Sequence, residues 1–251
     1  MKLTDKVAIV TGAGSGMGKA IAERFAAEGA SLVLCDLHAD RLADVAQQIN
    51  QEAVVTIAAN IADPKTADTL VETALKRFGG LDILCNNAGI MDYMQGVGEL
   101  GDEVWERVIA VNLNGPMYTM RRAMAALKER QGSIINVGST ASRHGGAAGA
   151  AYTTSKHALL GLSLNTAWMY AKSGVRCNVI APGATATHIA DSMPQDRLDP
   201  TGAARAAEFS ALVPAVLDPT DIANLALFLA SDESKRINGA VIPADGGWDA
   251  V

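Results

Sequence analysis

Thr11-Gly12-Ala13-Gly14-Ser15-Gly16-Met17-Gly18 stands between a β-branched run, Val7–Thr11, and a segment of helical period, Met17–Gly29. Strand, glycines, helix: this order decides the fold class. A chain that turns sharply from a strand into a helix leaves free N–H groups at the helix N-terminus, and these make a cradle for phosphate. Glycine is needed where the backbone takes a positive φ or approaches a ligand closely. A nucleoside-triphosphate loop is excluded, because positions 13 and 20, which would have to be Gly and Ser/Thr around Gly18-Lys19, are both alanine. The G-x-G-x-x-G pattern fails in every register. What stands is T-G-x-x-x-G-x-G, from Gly12, Gly16 and Gly18.

Outward from this loop, strand-like runs recur: Ser31–Cys35, Val54–Ala59, Leu81–Cys85, Ser133–Val137, Arg176–Ala181 and Ala240–Pro243. Segments of helical period lie between them: Asp40–Asn50, Pro64–Phe78, Asp102–Arg130, Ala151–Ser173 and Pro219–Ala230. The runs are almost continuously apolar rather than alternating, as in strands covered on both faces. Alternating strands and helices with right-handed crossovers give an α/β fold, a doubly wound parallel sheet of about seven strands of the Rossmann-like kind. No linker or repeat divides the 251 residues, so one domain, 1–251, is expected. The interval 184–218 fits least well. It carries Pro194, Pro200, Gly202 and Pro214, has a weak helical signal near Ala203–Leu212, and reads as a substrate loop.

Hydrophobic residues at 49% and charged residues at 19% exclude a disordered chain. With 21 basic against 27 acidic residues and no basic cluster, nucleic acid and anionic membrane are not expected partners. No apolar run approaches a membrane span, and the N-terminus lacks a signal-peptide pattern. Cys35, Cys85 and Cys177 sit in apolar runs and read as reduced core thiols of a cytoplasmic protein. No metal site is expected, since no CxxC or HExxH spacing occurs.

Asp36 ends the second run, eighteen residues beyond Gly18. A carboxylate there can accept hydrogen bonds from both hydroxyls of an adenosine ribose. It would repel a 2′-phosphate: at about 4 Å and an effective dielectric near 20, each charge pair is worth roughly 4 kcal/mol. Leu37 stands where a cation would be needed to hold that phosphate. Both favour NAD over NADP, and His38 and Arg41 soften the preference.

The chain also resembles the short-chain dehydrogenase/reductase family in its form of about 250 residues, from Lys6 to Gly247. The resemblance rests on an ordered set: Thr11–Gly18, Asn86-Asn87-Ala88-Gly89, Asn112, Ser139, Tyr152-Thr-Thr-Ser-Lys156, Pro182-Gly183 with Thr187, and Asp245-Gly246-Gly247. It implies a hydride transfer between NAD and a secondary alcohol or ketone. Tyr152 would then exchange the hydroxyl proton, Ser139 would hold the substrate oxygen, Lys156 would make the phenol more acidic and bind the nicotinamide ribose, and Asn112 would hold a water linking Lys156 to solvent. The chemistry is reasonable on its own terms. Tyr152 and Lys156 lie four apart on a predicted helix and share a face. A free phenol titrates near pH ~10, and an ammonium within about 4–6 Å lowers such a value by about 1–3 units. The positive nicotinamide ring would supply the remainder.

By the same resemblance the cofactor would lie on Gly12, Ser15, Gly16, Met17, Gly18, Asp36, Leu37, Asn60, Ile61, Asn87, Ala88, Gly89, Tyr152, Lys156, Pro182, Gly183, Thr185 and Thr187. Asn60 stands where many relatives carry an adenine-binding aspartate; its amide oxygen can accept the same bond. Met91, Tyr93, Met94 and Met193 are candidates for the pocket wall, and His144 and His188 for its mouth. A homotetramer or homodimer is implied, with the last helix and strand at its surface. Two other readings share these residues in part: an NADPH-dependent 3-oxoacyl-thioester reductase, against which Asp36 argues, and a non-catalytic dinucleotide sensor or scaffold, against which the filled catalytic positions argue.

Overall fold

Residues 1–49 and 51–250 are described in the computed structural model of the chain. Its strands are β1 (Val7–Thr11), β2 (Ser31–Asp36), β3 (Val54–Ala58), β4 (Ile83–Asn86), β5 (Ser133–Val137), β6 (Arg176–Pro182) and β7 (Val241–Ala244). Its helices are α1 (Gly16–Ala27), α2 (Ala39–Gln47), α3 (Pro64–Phe78), α4 (Asp102–Ile109), α5 (Gly115–Arg130), α6 (Ala150–Tyr170), α7 (Pro200–Ser210) and α8 (Pro219–Ala230). All strand pairs are parallel, in the order β3-β2-β1-β4-β5-β6-β7.

Both faces of the sheet are covered, which is why the strands read as unbroken apolar runs. Ala8, Val10, Leu32 and Leu34 pack with Ile21, Phe25, Leu42 and Leu227 from α1, α2 and α8. The alternate residues Ile9, Val33, Leu84 and Ile134 pack with Leu70, Met120, Leu127 and Ala167 from α3, α5 and α6. One polar ladder crosses the second layer. Asn86 Nδ2 donates to Asn136 Oδ1 at 2.9 Å, Thr119 Oγ1 donates to Asn86 Oδ1 at 2.7 Å, and Asn136 Nδ2 donates to Ser163 Oγ at 2.8 Å. Each group is satisfied, so the ladder fixes β4, β5, α5 and α6 against one another without an orphaned charge. The three cysteines are free and buried, and burial pushes each thiol up to about 12.

The expected elements appear with ends shifted by a few residues: the strand expected at Leu81–Cys85 forms at Ile83–Asn86, and α2 ends at Gln47. Asn50, the expected end of that helix, lies outside the described residues. Two differences matter. The single helix expected over Asp102–Arg130 is broken by a π-helical turn, Ala110–Asn114, in which the Gly115 N–H reaches back to the Ala110 carbonyl. Pro116 has no N–H for the Asn112 carbonyl four residues back, and its ring would crowd that oxygen. The wider turn relieves the clash. The second difference is α7, which begins at Pro200 rather than near Ala203 because Asp199 caps it, Oδ2 accepting from Gly202 N at 2.6 Å, with Pro200 at the first helical position.

The chain steps outward from β1 through β2 to β3, then α3 carries it back across to β4 on the other side of β1. At this switch point the carboxyl ends of β1 and β4 open a crevice, the place where doubly wound sheets bind ligands.

Candidate active site

The crevice is a cavity of about 370 Å³. Its floor is the glycine loop, and the glycines there are explained by contact. A Cβ on Gly12, where φ is +66°, would stand 2.8 Å from Ala88 Cα; one on Gly18 would overlap the Gly12 carbonyl oxygen. The N-terminus of α1 carries no side-chain cap and no acidic residue in its first turn. Its N–H groups are therefore open to an anion. Asn87 braces the loop from below, Nδ2 donating to the Thr11 carbonyl at 3.0 Å and the Gly12 carbonyl at 3.2 Å, while its Oδ1 is buried without a partner.

At the far end, Asp36 accepts from the backbone N–H groups of Gly14 at 2.9 Å and His38 at 3.0 Å. Each carboxylate oxygen keeps a lone pair for a ligand. Leu37 is 66% exposed beside it. Arg41 also borders the cavity, but its guanidinium pairs with Asp191 at 3.2 Å, on the turn His188–Ser192 that roofs the crevice. Thr187 starts that roof and touches the floor: a Cβ on Gly16 would lie 3.0 Å from it. An uncapped helix end, glycines that permit close approach, a carboxylate at the end of β2 bordering the same cavity and an orphaned amide oxygen fit a dinucleotide.

Of the residues expected to hold a cofactor, Gly12, Ser15, Gly16, Met17, Asp36, Leu37, Asn60, Ile61, Asn87, Ala88, Gly89 and Thr187 border this cavity. Gly18, Tyr152, Lys156, Pro182, Gly183 and Thr185 do not. Gly18 lies beneath the loop, Gly183 packs on Asp245, and Thr185 Oγ1 donates to the Gly183 carbonyl at 3.1 Å. The Asn60 Oδ1 accepts from Ala62 N at 3.0 Å, which shapes its own turn and leaves one lone pair for a ligand.

Ser139, Tyr152, Lys156 and Asn112 come together at the inner lip. A side chain at Gly89 would begin 3.4 Å from Asn112 Oδ1 and 3.5 Å from Lys156 Nζ, so these two groups stand directly behind Gly89, which borders the cavity. Asn112 bridges the loop after β4 and α6, accepting from Ile90 N and donating to Ile90 O at 2.9 Å each, and it donates to Ser155 Oγ at 3.1 Å. Lys156 Nζ donates to the Val137 carbonyl at 2.9 Å and lies 5.6 Å from the Tyr152 ring centre. Ser139, just past β5, caps a short turn, its Oγ accepting from Ala141 N at 3.1 Å.

Burial dominates the electrostatics of this pair. In the protein alone the phenol is not acidified: burial pushes Tyr152 up to about 12, a hydrogen bond from Ser139 offsets part of this, and the charge of Asp92 adds to it. Burial pulls Lys156 down to about 8. Desolvation penalises the charged form of both groups.

The residues packed around the phenol are apolar: Met91, Ala141, Met94, Ala147 and Ala148, with Ile189 and Met193 from the roof segment. Three of the four expected wall residues are here. Tyr93 is not; it packs with Val104, Val108 and Ala151, and its ring centre lies 4.9 Å from the guanidinium of Arg107 and 4.5 Å from that of Arg197, contacts that favour this placement. His188 borders the crevice, whereas His144 is bound to Asp249, at 2.7 Å, and stacked near Phe209. Sequence reading missed the work of Thr11, whose Oγ1 accepts from Asn87 N and Ala88 N at 3.1 Å each and so ties the β4 loop to the glycine loop. Its place at the head of the glycine motif was the available signal. Asp92 was missed altogether, with no signal beyond an acidic residue in an apolar stretch.

A family model described as enoyl-(acyl carrier protein) reductase matches residues 12–249. A 3beta-hydroxysteroid dehydrogenase 2 of Eggerthella lenta is 40% identical over 254 residues, covering 99% of this chain and 96% of that one. Among solved structures, a levodione reductase is similar with a TM-score of 0.89 and 32% identity, over 99% of both chains. A 3-ketoacyl-(acyl-carrier-protein) reductase from Brucella melitensis, complexed with NADH, is similar with a TM-score of 0.88 and 31% identity, over 98% of this chain and 99% of that one.

Proposed function

The chain belongs to the short-chain dehydrogenase/reductase family, and from that premise we propose that it transfers a hydride between NAD and a secondary alcohol or ketone whose substituents are apolar. The observation that carries this reading is the meeting of Ser139, Tyr152, Lys156 and Asn112 beside the crevice at the glycine loop, with an apolar cluster packed around the phenol. The bound nicotinamide supplies or accepts the hydride. The protein's part is to orient and to move a proton. Tyr152 gives its proton to the carbonyl oxygen in reduction and takes one from the hydroxyl in oxidation. Ser139 donates to the same oxygen and stabilises the charge it gathers. Lys156, on the Val137 carbonyl, favours the phenolate, and Asn112 holds the path by which the proton reaches solvent. The apolar wall excludes water from the reacting carbon.

The direction of the pH dependence follows from the pair. Oxidation needs the phenolate, which burial disfavours in the protein alone. Read as kcat/KM, oxidation is expected to rise tenfold per pH unit up to the apparent pKa of Tyr152 in the coenzyme complex and then level off. Reduction needs the protonated pair and is flat below that value and falls above it. Identical profiles in both directions would remove the pair from the mechanism.

Asp36 supports NAD over NADP, and the engagement of Arg41 by Asp191 strengthens that choice, because the nearest guanidinium is already neutralised. Asp36→Ser is expected to lower the NAD preference by at least about tenfold, judged by kcat/KM with each coenzyme; removing one unscreened repulsion of roughly 4 kcal/mol leaves room for that after solvent screening. An unchanged coenzyme ratio would place discrimination elsewhere.

A 3-oxoacyl-thioester substrate would use the same catalytic groups, and the NADH complex of the Brucella melitensis enzyme removes coenzyme choice as grounds against it. The wall of Met91, Met94, Ile189 and Met193 favours an uncharged ring or chain. The testing experiment is a panel with NAD of secondary alcohols, diols, sugars, hydroxysteroids and acyl thioesters. Highest kcat/KM on an apolar cyclic alcohol is expected; preference for the acyl thioester would transfer the assignment. The 184–218 segment, with α7 and the roof turn, is the substrate loop of this reading. A homotetramer or homodimer and a cytoplasmic setting complete it, supported by the unpaired edge of β7 and by the reduced, buried thiols.

A further inference from the structure

Asp92 is fully buried, with 0% exposure, yet no Lys or Arg pairs with it among the described residues. Its charge is met by backbone alone. Oδ1 accepts from Met94 N at 3.1 Å and from Gly149 N at 3.1 Å; Oδ2 accepts from Tyr152 N at 2.8 Å. Gly149 is the N-cap residue of α6 and has no side chain to cap it. Asp92 therefore caps that helix from another segment, and the positive end of the helix stabilises the carboxylate in return. The fit is tight: a Cβ on Gly149 would stand 2.6 Å from Asp92 Oδ2.

The same short stretch holds two further parts of the site. Met94 sits at φ +60°, a left-handed backbone that the Asp92 bond to its N–H supports. Gln95 O accepts from Ala150 N, and Tyr93 O accepts from Asp199 N, each at 2.9 Å. Asp199 is the cap of α7. The N-termini of the helix that carries Tyr152 and of the helix in the substrate loop thus converge on residues 92–95.

We propose that Asp92 is a positioning residue for the reaction: by accepting the Tyr152 N–H and capping α6 from the loop after β4, it fixes where the phenol stands relative to the crevice and keeps the substrate loop in register with it. This rests on the function proposed above. A displacement of about 1 Å at a reacting group costs up to a hundredfold in rate, and a single backbone bond to the residue bearing the phenol is placed to prevent one.

Asp92→Asn keeps an oxygen for Met94 and Gly149 but turns an amide donor toward the Tyr152 N–H, so the loss falls on one bond. The expected result is a fall in kcat of about tenfold or more, with the Kd for NADH within twofold of the parent. The groups facing the phenol are Lys156 on its own helix, Ser139 beyond β5 and Asp92 beyond β4. Removing the Asp92 charge takes away a repulsion on the phenolate, so the limb of the oxidation profile moves to lower pH. A generally weakened fold would lower NADH affinity and melting temperature together and leave the limb in place; that result overturns the proposal, as does an unchanged kcat with an unchanged limb. Should Asp92→Asn fail to fold, Gly149→Ala decides. Its φ of −74° suits alanine, and the new methyl would stand 2.6 Å from Asp92 Oδ2 and 2.7 Å from both Asp92 Oδ1 and Gln95 N, so it pushes the carboxylate and its loop off the helix end while the charge stays. Reduced kcat with retained NADH binding supports the role; parental kcat overturns it. Tyr152→Phe separates the two levels: full turnover in that variant removes the catalytic reading, whereas loss there with no effect at Asp92 or Gly149 removes only the positioning role.

Discussion

Tyr152→Phe is expected to lower turnover by about 10²- to 10⁴-fold, the range that a positioned acid–base group contributes, while NADH binding stays within twofold. The asymmetry has a structural basis. The ring of Tyr152 packs on Met91 and Ala141 with Met94, Ala147 and Ala148 at its edge, and a phenyl ring keeps those contacts. The Asp92 bond is made to the backbone N–H and is untouched. What disappears is one hydroxyl, with its hydrogen bond from Ser139 and its burial cost. A fluorescence titration with NADH and steady-state rates in both directions give the two numbers. Parental turnover would exclude the phenol as the proton carrier; an equal loss of NADH affinity would mean that the ring, rather than its hydroxyl, carries the effect.

Gly18→Ala has the second large effect, and it acts on binding. The added methyl would coincide with the Gly12 carbonyl oxygen and crowd Asn87 Nδ2 at 2.5 Å. Neither can yield cheaply, since one is backbone and the other braces the loop. The glycine loop must lift from α1, which misplaces the N–H groups offered to the pyrophosphate. NADH affinity is expected to fall by at least about a hundredfold, with an overpacking loss of about 1–3 kcal/mol in stability. Gly161→Ala is the matched control. Gly161 lies inside α6 with nothing within 4 Å of its Cβ position, so alanine there is expected to stabilise by about 0.5–1 kcal/mol and to leave NADH binding alone. Titration and thermal melts of both variants check the contrast, and parental affinity in Gly18→Ala would mean the loop does not form the phosphate site.

The glycine loop and the sheet were legible because each rests on local rules. Strands buried on both faces must be apolar throughout, and a strand-to-helix turn at a phosphate site must use glycine, so Val7–Thr11 and Gly12–Gly18 announce themselves. The family set placed Ser139, Tyr152, Lys156 and Asn112 in one neighbourhood. Three things escaped. The π turn at Asn112 depends on which carbonyl Pro116 crowds, a matter of register rather than composition. The balance of charge at Tyr152 and Lys156 depends on burial, which spacing does not report. Asp92 reaches Gly149 and Tyr152 across about sixty residues of sequence, and an isolated aspartate carries no mark of the helix end it will meet.

The sheet order has a consequence for how the chain comes into being. β1 lies between β2 and β4, and α1, which follows β1, shares its apolar layer with Ile222, Ala223 and Leu227 of α8. A nascent chain that has emerged as far as α7 has no cover for that side of α1. Every strand pairing is parallel and spans a crossover, so no hairpin can form early to hold the ends. Synthesis must run past α8 before the first helix is sealed, and a chain terminated before Pro219 presents Phe25's neighbourhood to whatever chaperone or aggregate it meets first.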